Sequence, residues 1–339
     1  MHLLRHADLR PYNTFGVAAQ AEFLGRFSDV DQLRALLADP QLAGLPRLFL
    51  GGGSNVLFTR NWPGVVLLNE IMGIDVARED DEHVWVRSGA GVPWHQLVVH
   101  CVDQGWGGME NLSLIPGKVG AAPMQNIGAY GVELKDTFDS LEALRIGDGQ
   151  LLTFDRAACR FGYRESFFKR EGRDQYVILN VTFRLKKAPH VLNTSYGNIQ
   201  QELDRLGISR PTIKDVSDAV IAIRRSKLPD PAVLGNAGSF FKNPVVSTAV
   251  AEAIQQAHPD AVAYPAGEGQ MKLAAGWLIE KAGWKGHRAE HHGVHDRQAL
   301  VLVNHGGATG LEIYDLSEQV LQSVRARFGV ELEREVNIL

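Results

Sequence analysis

The chain has 339 residues, of which 45% are hydrophobic and 22% charged, and its net charge is −4. That length exceeds a single small core and points to two or three domains of ordinary globular composition. The slight acidity lacks the basic footprint of a nucleic-acid binder and leaves room only for local basic sites that meet phosphates.

The N-terminus, Met1 to Asp8, is too polar for a signal peptide. No apolar run reaches the roughly eighteen residues of a membrane span, so a cytoplasmic protein is expected. Cys101 and Cys159 do not make a disulfide framework and read as buried thiols.

Arg47-Leu48-Phe49-Leu50 is a short apolar run that ends in three glycines, the pattern of a buried strand delivering a tight loop. Val65 to Asn69 and Val84 to Arg87 are further strand candidates. Pro93 to Gln104 carries Trp94, Leu97, Val98 and Cys101 at helical spacing, with Gly105 as a stop. Residues 105–131 have no period and are rich in small residues, which inside a compact domain suggests function. Tyr176 to Leu185 alternates as a strand, Pro189 to Asn198 reads as a polar loop, and Asp215 to Arg225 as a helix stopped by Leu228-Pro229-Asp230-Pro231. A domain boundary is placed there. Helical patterns follow over 247–257 and 271–282, then a strand at Ala299 to Asn304. A long amphipathic helix follows, with apolar residues at Leu311, Tyr314, Leu321, Val324 and Phe328. Gly329 to Leu339 alternates like a strand.

Gly51-Gly52-Gly53-Ser54-Asn55 lets backbone N–H groups approach an anion, and Ser54 and Asn55 add side-chain donors. Taken alone it is as compatible with a plain turn. The stretch from Asn111 to Gly131, with Pro116 and Pro123 as fixed kinks, could lay backbone against a flat aromatic ligand. Two such loops suggest a dinucleotide clamp. Neither the G-x-G-x-x-G fingerprint nor a P-loop is present, because Val56 and Val119 occupy the positions that would complete them. His287, His291, His292 and His295 form the one metal-like cluster, but Gly286 and Gly293 bracket it, so no metal site is expected. A zinc hydrolase would nevertheless need this cluster.

Asn13-Thr14-Phe15, Gly51 to Asn55, Ile115-Pro116-Gly117 with Gly120 to Gly131, Tyr163-Arg164-Glu165-Ser166, Lys227 to Pro231, and Gly235 to Pro244 occur in this order. Together they resemble the UDP-N-acetylenolpyruvoylglucosamine reductase family of bacterial peptidoglycan precursor synthesis, over nearly the whole chain. The resemblance implies an α+β protein with a vanillyl-alcohol-oxidase-type FAD-binding fold in two subdomains, residues 1–66 and 67–226. A C-terminal α+β substrate-binding domain would cover 227–328, with strand 329–339 returning to the first subdomain. Thr194 to Asn198 fits the tyrosine loop of the family's longer form.

The resemblance also implies the chemistry. NADPH reduces the flavin, hydride passes from its N5 to C3 of the enolpyruvyl group, and a proton is added at C2. Arg164 matches the group that meets the substrate carboxylate, with Glu335 beside it and Ser239 as proton donor. Lys227 is the first candidate to help that hydroxyl. FAD contacts are carried onto Gly51, Gly52, Gly53, Ser54 and Asn55. In the second loop they fall on Ser113, Ile115, Pro116, Gly117, Gly120 and Ala121, then on Gln125, Asn126, Gly128 and Ala129, with Arg224 from the later helix. Substrate contacts fall on Tyr196, Lys227, Asn243, Tyr264, Lys272, Lys285 and Gln298. Neither glycine loop contains a His, so FAD is expected to be held non-covalently. NADPH and the UDP-sugar should use one pocket in turn, with no nucleic-acid or membrane partner. Another FAD-dependent oxidase on the same fold is the nearest rival, and oxygen consumption with a sugar or lactone would mark it.

Overall fold

A computed structural model describes residues 3–339, and the chain divides into two compact units. The first takes Met1–Ala7 (described from Leu3), Glu22–Gly52 and Pro63–Ser226; the second takes Asp8–Ala21, Gly53–Trp62 and Lys227–Leu339. One of the crossings between them falls inside the glycine run, between Gly52 and Gly53.

The first unit contains a four-stranded sheet, a five-stranded sheet and the short pair Gly128–Ala129 with Val132–Glu133. The four-stranded sheet runs in the order Leu4–Asp8, Gln20–Phe27, Trp62–Asn69, Arg47–Leu50. Its last two strands are parallel, with Leu50 opposite Leu68. The five-stranded antiparallel sheet runs in the order Leu151–Asp155, Phe138–Arg145, Tyr176–Lys186, His83–Gly89, Ile74–Glu79. The sequence of Tyr176–Lys186 explains its central place. Its first half is buried on both faces, and its second half alternates Phe183 and Leu185 inward with Arg184 and Lys186 outward.

The helix Trp94–Asp103 lays Trp94, Leu97, Val98 and Cys101 into the same core as Phe183. Trp94 meets Phe183 edge-on, with ring centroids 5.7 Å apart, and its indole N–H donates to Leu112 O at 2.9 Å. The helix Ile213–Lys227 packs Val216, Ala219, Val220 and Ile223 on Ile199 and Leu203. Both cysteines are buried free thiols, and burial pushes each up to about 12. They are core residues, as expected.

The second unit holds two three-stranded sheets. One runs Gly235–Ser239, Val301–Asn304, His292–Val294; the other runs Val245–Ser247, Gln270–Leu273, Ala263–Pro265. The long helix Gly310–Phe328 buries Ile313, Leu316, Val320 and Val324 on one stripe. The N-terminal motif is built into this unit. Thr14 N–H donates to Gly53 O (3.0 Å), Asn304 Nδ2 donates to Phe15 O (2.8 Å), and Phe15 stacks edge-on against Phe240.

Two element readings need correction. The helical pattern over 271–282 is a strand, Gln270–Leu273, followed by a short helix, Ala275–Lys281. Two ladders, to Val245–Ser247 and to Ala263–Pro265, hold Gln270–Leu273 extended whatever the helical spacing. The alternating tail is a strand only at Asn337–Ile338, paired in parallel with Val56–Leu57. Its buried positions Val330, Leu332 and Val336 keep the alternation, but the segment changes partners midway, bridging Phe241 through Arg334 before it reaches Val56.

Candidate active site

In the first unit the two small-residue loops lie against each other. A β-carbon on Gly51 would stand 3.6 Å from Lys118 Cβ, and one on Gly52 only 3.1 Å from Gly117 Cα. The second loop is pinned from behind: Trp94 N–H donates to Gly117 O, Val119 N–H to Val92 O and Gly120 N–H to Ala90 O, each at 2.9 Å. Ile115, Pro116, Gly117, Gly120 and Ala121 keep surface exposed along this stretch. Lys118, which sequence reasoning did not single out, reaches Asn69 O at 2.8 Å. Burial pushes its ammonium down, and Glu70 opposes that shift.

Arg164 stands on a tight turn at φ 56, with Nη2 donating to Gly128 O at 2.9 Å. That bond carries the arginine to the Gly128-Ala129 end of the second loop. Ser166 Oγ donates to Met124 O (2.7 Å) and anchors the same turn beside Gln125. Tyr196 is seated on the Tyr130-Gly131 turn: a β-carbon on Gly131 would lie 3.1 Å from Tyr196 Cβ. Asn111 joins the two segments, its Nδ2 donating to Tyr130 O (2.9 Å) and to Asn193 O (2.8 Å).

Arg224 has a buried Nε with no hydrogen-bond partner. Burial pushes its guanidinium down, and Tyr130 acts in the opposite sense. Tyr130 is itself pushed up by burial and drawn back by Arg224. His95 is pushed down by burial and by Arg225 and Arg224, which favours the neutral ring that accepts from Leu114 N–H at 3.0 Å. A cradle without side chains together with a buried, incompletely bonded guanidinium fits a dinucleotide bearing an anionic pyrophosphate.

Two of the expected cofactor side chains are turned inward instead. Ser113 is fully buried; its hydroxyl donates to Glu110 O (2.7 Å) and lies 2.7 Å from Ser217 Oγ. Asn126 is also fully buried and left-handed at φ 44, its Nδ2 donating to Glu133 Oε2 (3.0 Å) and Gly162 O (2.9 Å). Both hold the loop's shape, because a buried polar group must find its partners within the protein.

In the second unit, Gly53 follows the cradle at φ 62, where a β-carbon would fall 1.9 Å from Tyr12 O. No other residue fits there. Ser54 is half-buried. Asn55 is tied to the tail rather than turned wholly to a ligand: its Nδ2 donates to Glu335 O (3.2 Å), and its carbonyl accepts from Asn337 N (3.1 Å). Glu335 N–H in turn donates to Phe240 O at 2.8 Å, and Lys242 N–H to Glu333 O at 2.8 Å. Lys242 Nζ and Glu333 close this ladder with an ion pair. The backbone of Glu335 is thereby fixed beside the residue that follows Ser239, whose own side chain is exposed.

The remaining substrate candidates fall into four places. Tyr264 and Lys272 are direct cross-strand partners, which their sequence separation does not reveal. Asn243 and Gln298 meet the first turn of Ala275–Lys281: Asn243 Oδ1 accepts from Ala275 N–H (2.9 Å), and a β-carbon on Gly276 would stand 3.0 Å from Gln298 Oε1. Lys285 pairs with Glu280 at 3.0 Å, and Lys227 is exposed at the helix end. Among the described residues no group of three or more His, Cys, Asp or Glu side chains gathers to hold a metal, and no helix is long and apolar enough to cross a membrane.

Known proteins resemble this chain over its length. The family model described as FAD binding domain matches residues 22–155, and that described as UDP-N-acetylenolpyruvoylglucosamine reductase, C-terminal domain, matches 230–339. UDP-N-acetylenolpyruvoylglucosamine reductase of Burkholderia cenocepacia is 54% identical over 339 residues, covering 99% of this chain and 96% of its own. The Pseudomonas aeruginosa protein of that name is 54% identical over 338 residues, covering 100% and 99%. The crystal structure of UDP-N-acetylenolpyruvylglucosamine reductase from Thermus caldophilus superposes with a TM-score of 0.68 at 24% identity, covering 99% of this chain and 98% of that one. It shares the fold.

Proposed function

The chain belongs to the UDP-N-acetylenolpyruvoylglucosamine reductase family, and from that premise we propose how its side chains divide the reaction. The enzyme is an FAD-dependent oxidoreductase that uses NADPH to reduce the enolpyruvyl group of UDP-N-acetylglucosamine enolpyruvate to UDP-N-acetylmuramate in peptidoglycan synthesis. FAD, when bound, would supply the hydride transfer that links NADPH to C3 of the enolpyruvyl double bond. What remains for the protein is to hold the carboxylate that takes up the negative charge, and to deliver a proton to C2.

Arg164 takes the carboxylate, since a guanidinium matches it through two parallel bonds. Glu335 stands beside it, and Ser239 gives its proton to C2. The observation that carries the Ser239 and Glu335 roles is the 2.8 Å bond from Glu335 N–H to Phe240 O, which brings an acid to the backbone next to an exposed serine hydroxyl. A serine is a weak acid and needs a charged neighbour; Lys227 is assigned that part. Residues 1–66 and 67–226 are assigned as the FAD-binding subdomains; the four-stranded sheet draws mainly on the first and reaches past its end through Trp62–Asn69, and the five-stranded sheet lies in the second. FAD is held non-covalently on Gly51 to Asn55, on the 113–129 loop and by Arg224. The substrate domain, 227–328, supplies Lys227, Asn243, Tyr264, Lys272, Lys285 and Gln298 to the substrate, and Tyr196 is assigned to it as well.

Anaerobic addition of NADPH should bleach the yellow holoprotein, and the enolpyruvyl sugar nucleotide should restore the colour. In Arg164→Ala bleaching should persist, while recovery slows by about two orders of magnitude or more, the scale of losing one preorganised charge partner. Recovery at the parent rate would remove Arg164 from the carboxylate.

A further inference from the structure

We propose that Asn236 is the positioning residue for the Ser239 hydroxyl, acting through the backbone turn between them; this rests on Ser239 as the proton donor. The strand Gly235–Ser239 does not run straight. Asn236 is opposite Val303 and Ser239 opposite Val301, so two residues, Ala237 and Gly238, face the single residue Leu302. Such an insertion bends a strand and re-aims the side chain that follows it. The bend requires Gly238 at φ 70, a conformation that glycine adopts at no steric cost.

The Asn236 side chain holds that bend. It is 4% exposed, and every polar atom of its amide is used. Oδ1 accepts from Gly238 N–H at 2.9 Å. Nδ2 donates to Leu234 O at 2.8 Å and to Pro229 O at 3.2 Å. Its own N–H donates to Thr14 O at 3.0 Å. One planar amide therefore ties the loop before the strand to the residue just before Ser239. Aspartate would leave the half-buried Leu234 and Pro229 carbonyls without this donor, glutamine would move the amide by a methylene, and alanine would lose all three bonds. Proton delivery to C2 depends on where the hydroxyl points, and small displacements of a reacting group are costly.

The test uses the holoenzyme, with bleaching by NADPH and recovery by the enolpyruvyl sugar nucleotide followed separately. In Asn236→Ala, flavin content and bleaching should stay within about twofold of the parent, while recovery falls by roughly ten- to a hundredfold at little change in substrate Kd. The solvent deuterium effect on recovery should rise, because the proton step then limits it more strongly. Adding Asn236→Ala to Ser239→Ala should cost nothing further, since the two act as one unit. If Asn236→Ala does not fold, Gly238→Ala carries the same test. Its β-carbon would meet nothing within 4 Å, so only the left-handed turn is disturbed, and the same selective slowing of recovery is expected. Equal loss in both half-reactions, or losses that add with Ser239→Ala, would overturn the inference. Recovery at the parent rate in Ser239→Ala would instead overturn the donor assignment on which it rests.

Discussion

A β-carbon on Gly120 would stand 2.5 Å from that of Ala90, and the Gly120 N–H donates to Ala90 O at 2.9 Å. The second loop can reach the end of strand His83–Gly89 only because nothing projects between them. Gly120→Ala should force the loop outward and lower stability by about 1–3 kcal/mol, the usual penalty of an overpacked contact. The same displacement should loosen the cradle against Gly51 and Gly52, so the purified variant should carry less flavin per chain, read from its absorbance. Parental stability with full flavin content would show that the contact is not needed. The glycines were legible in the sequence because loops that touch ligands or each other require them. Ser113 and Asn126 were less so. Their residue types suit a ligand, and only the fold reveals that Ser217 and Glu133 had already taken their polar atoms.

The helix Gly310–Phe328 carries its own start and stop signals. Thr309 and Glu312 form a reciprocal capping box, with Glu312 N–H donating to Thr309 Oγ1 and Thr309 N–H to Glu312 Oε2, and Gly329 ends the helix at φ 66. Thr309→Ala should destabilise the protein by about 1 kcal/mol in denaturant unfolding, and Thr309→Ser should recover most of that. The bonds from Thr309 hold the Glu312 carboxyl below its ordinary 4.5. A depressed acid stabilises the fold fully above its unfolded value, so this contribution should fade as pH falls from there through the lower folded value. Local signals of this kind made the long helices readable, as they did for Trp94–Asp103 and Ile213–Lys227. Gln270–Leu273 was misread as helix because its conformation is set by neighbours on both sides, Val245–Ser247 and Ala263–Pro265, which lie far off in the chain.

At the scale of the molecule, the second unit draws Asp8–Ala21 and Gly53–Trp62 out of an N-terminal half that otherwise belongs to the first. A linear reading finds the motifs in this exchange but not their allegiance: Asn13-Thr14-Phe15 serves Gly53 and Asn304, across separations no local pattern encodes. The candidate groups are likewise divided, Arg164 and Arg224 in one unit, Ser239, Lys272 and Glu335 in the other. The reaction supplies the last constraint. The nicotinamide and the enolpyruvyl carbon must each exchange hydride with the same flavin atom, so their occupancies should exclude one another. Steady-state rates at several fixed NADPH concentrations should then give parallel double-reciprocal lines. High concentrations of the sugar nucleotide should inhibit by occupying the oxidised enzyme before NADPH can reach it. On the diphosphate role proposed for Lys272, Lys272→Ala should weaken that inhibition along with substrate affinity, since such a contact is made equally before and during the reaction and its loss falls on KM. Intersecting lines would mean that both ligands bind together and would overturn the shared pocket, leaving the flavin chemistry itself untouched.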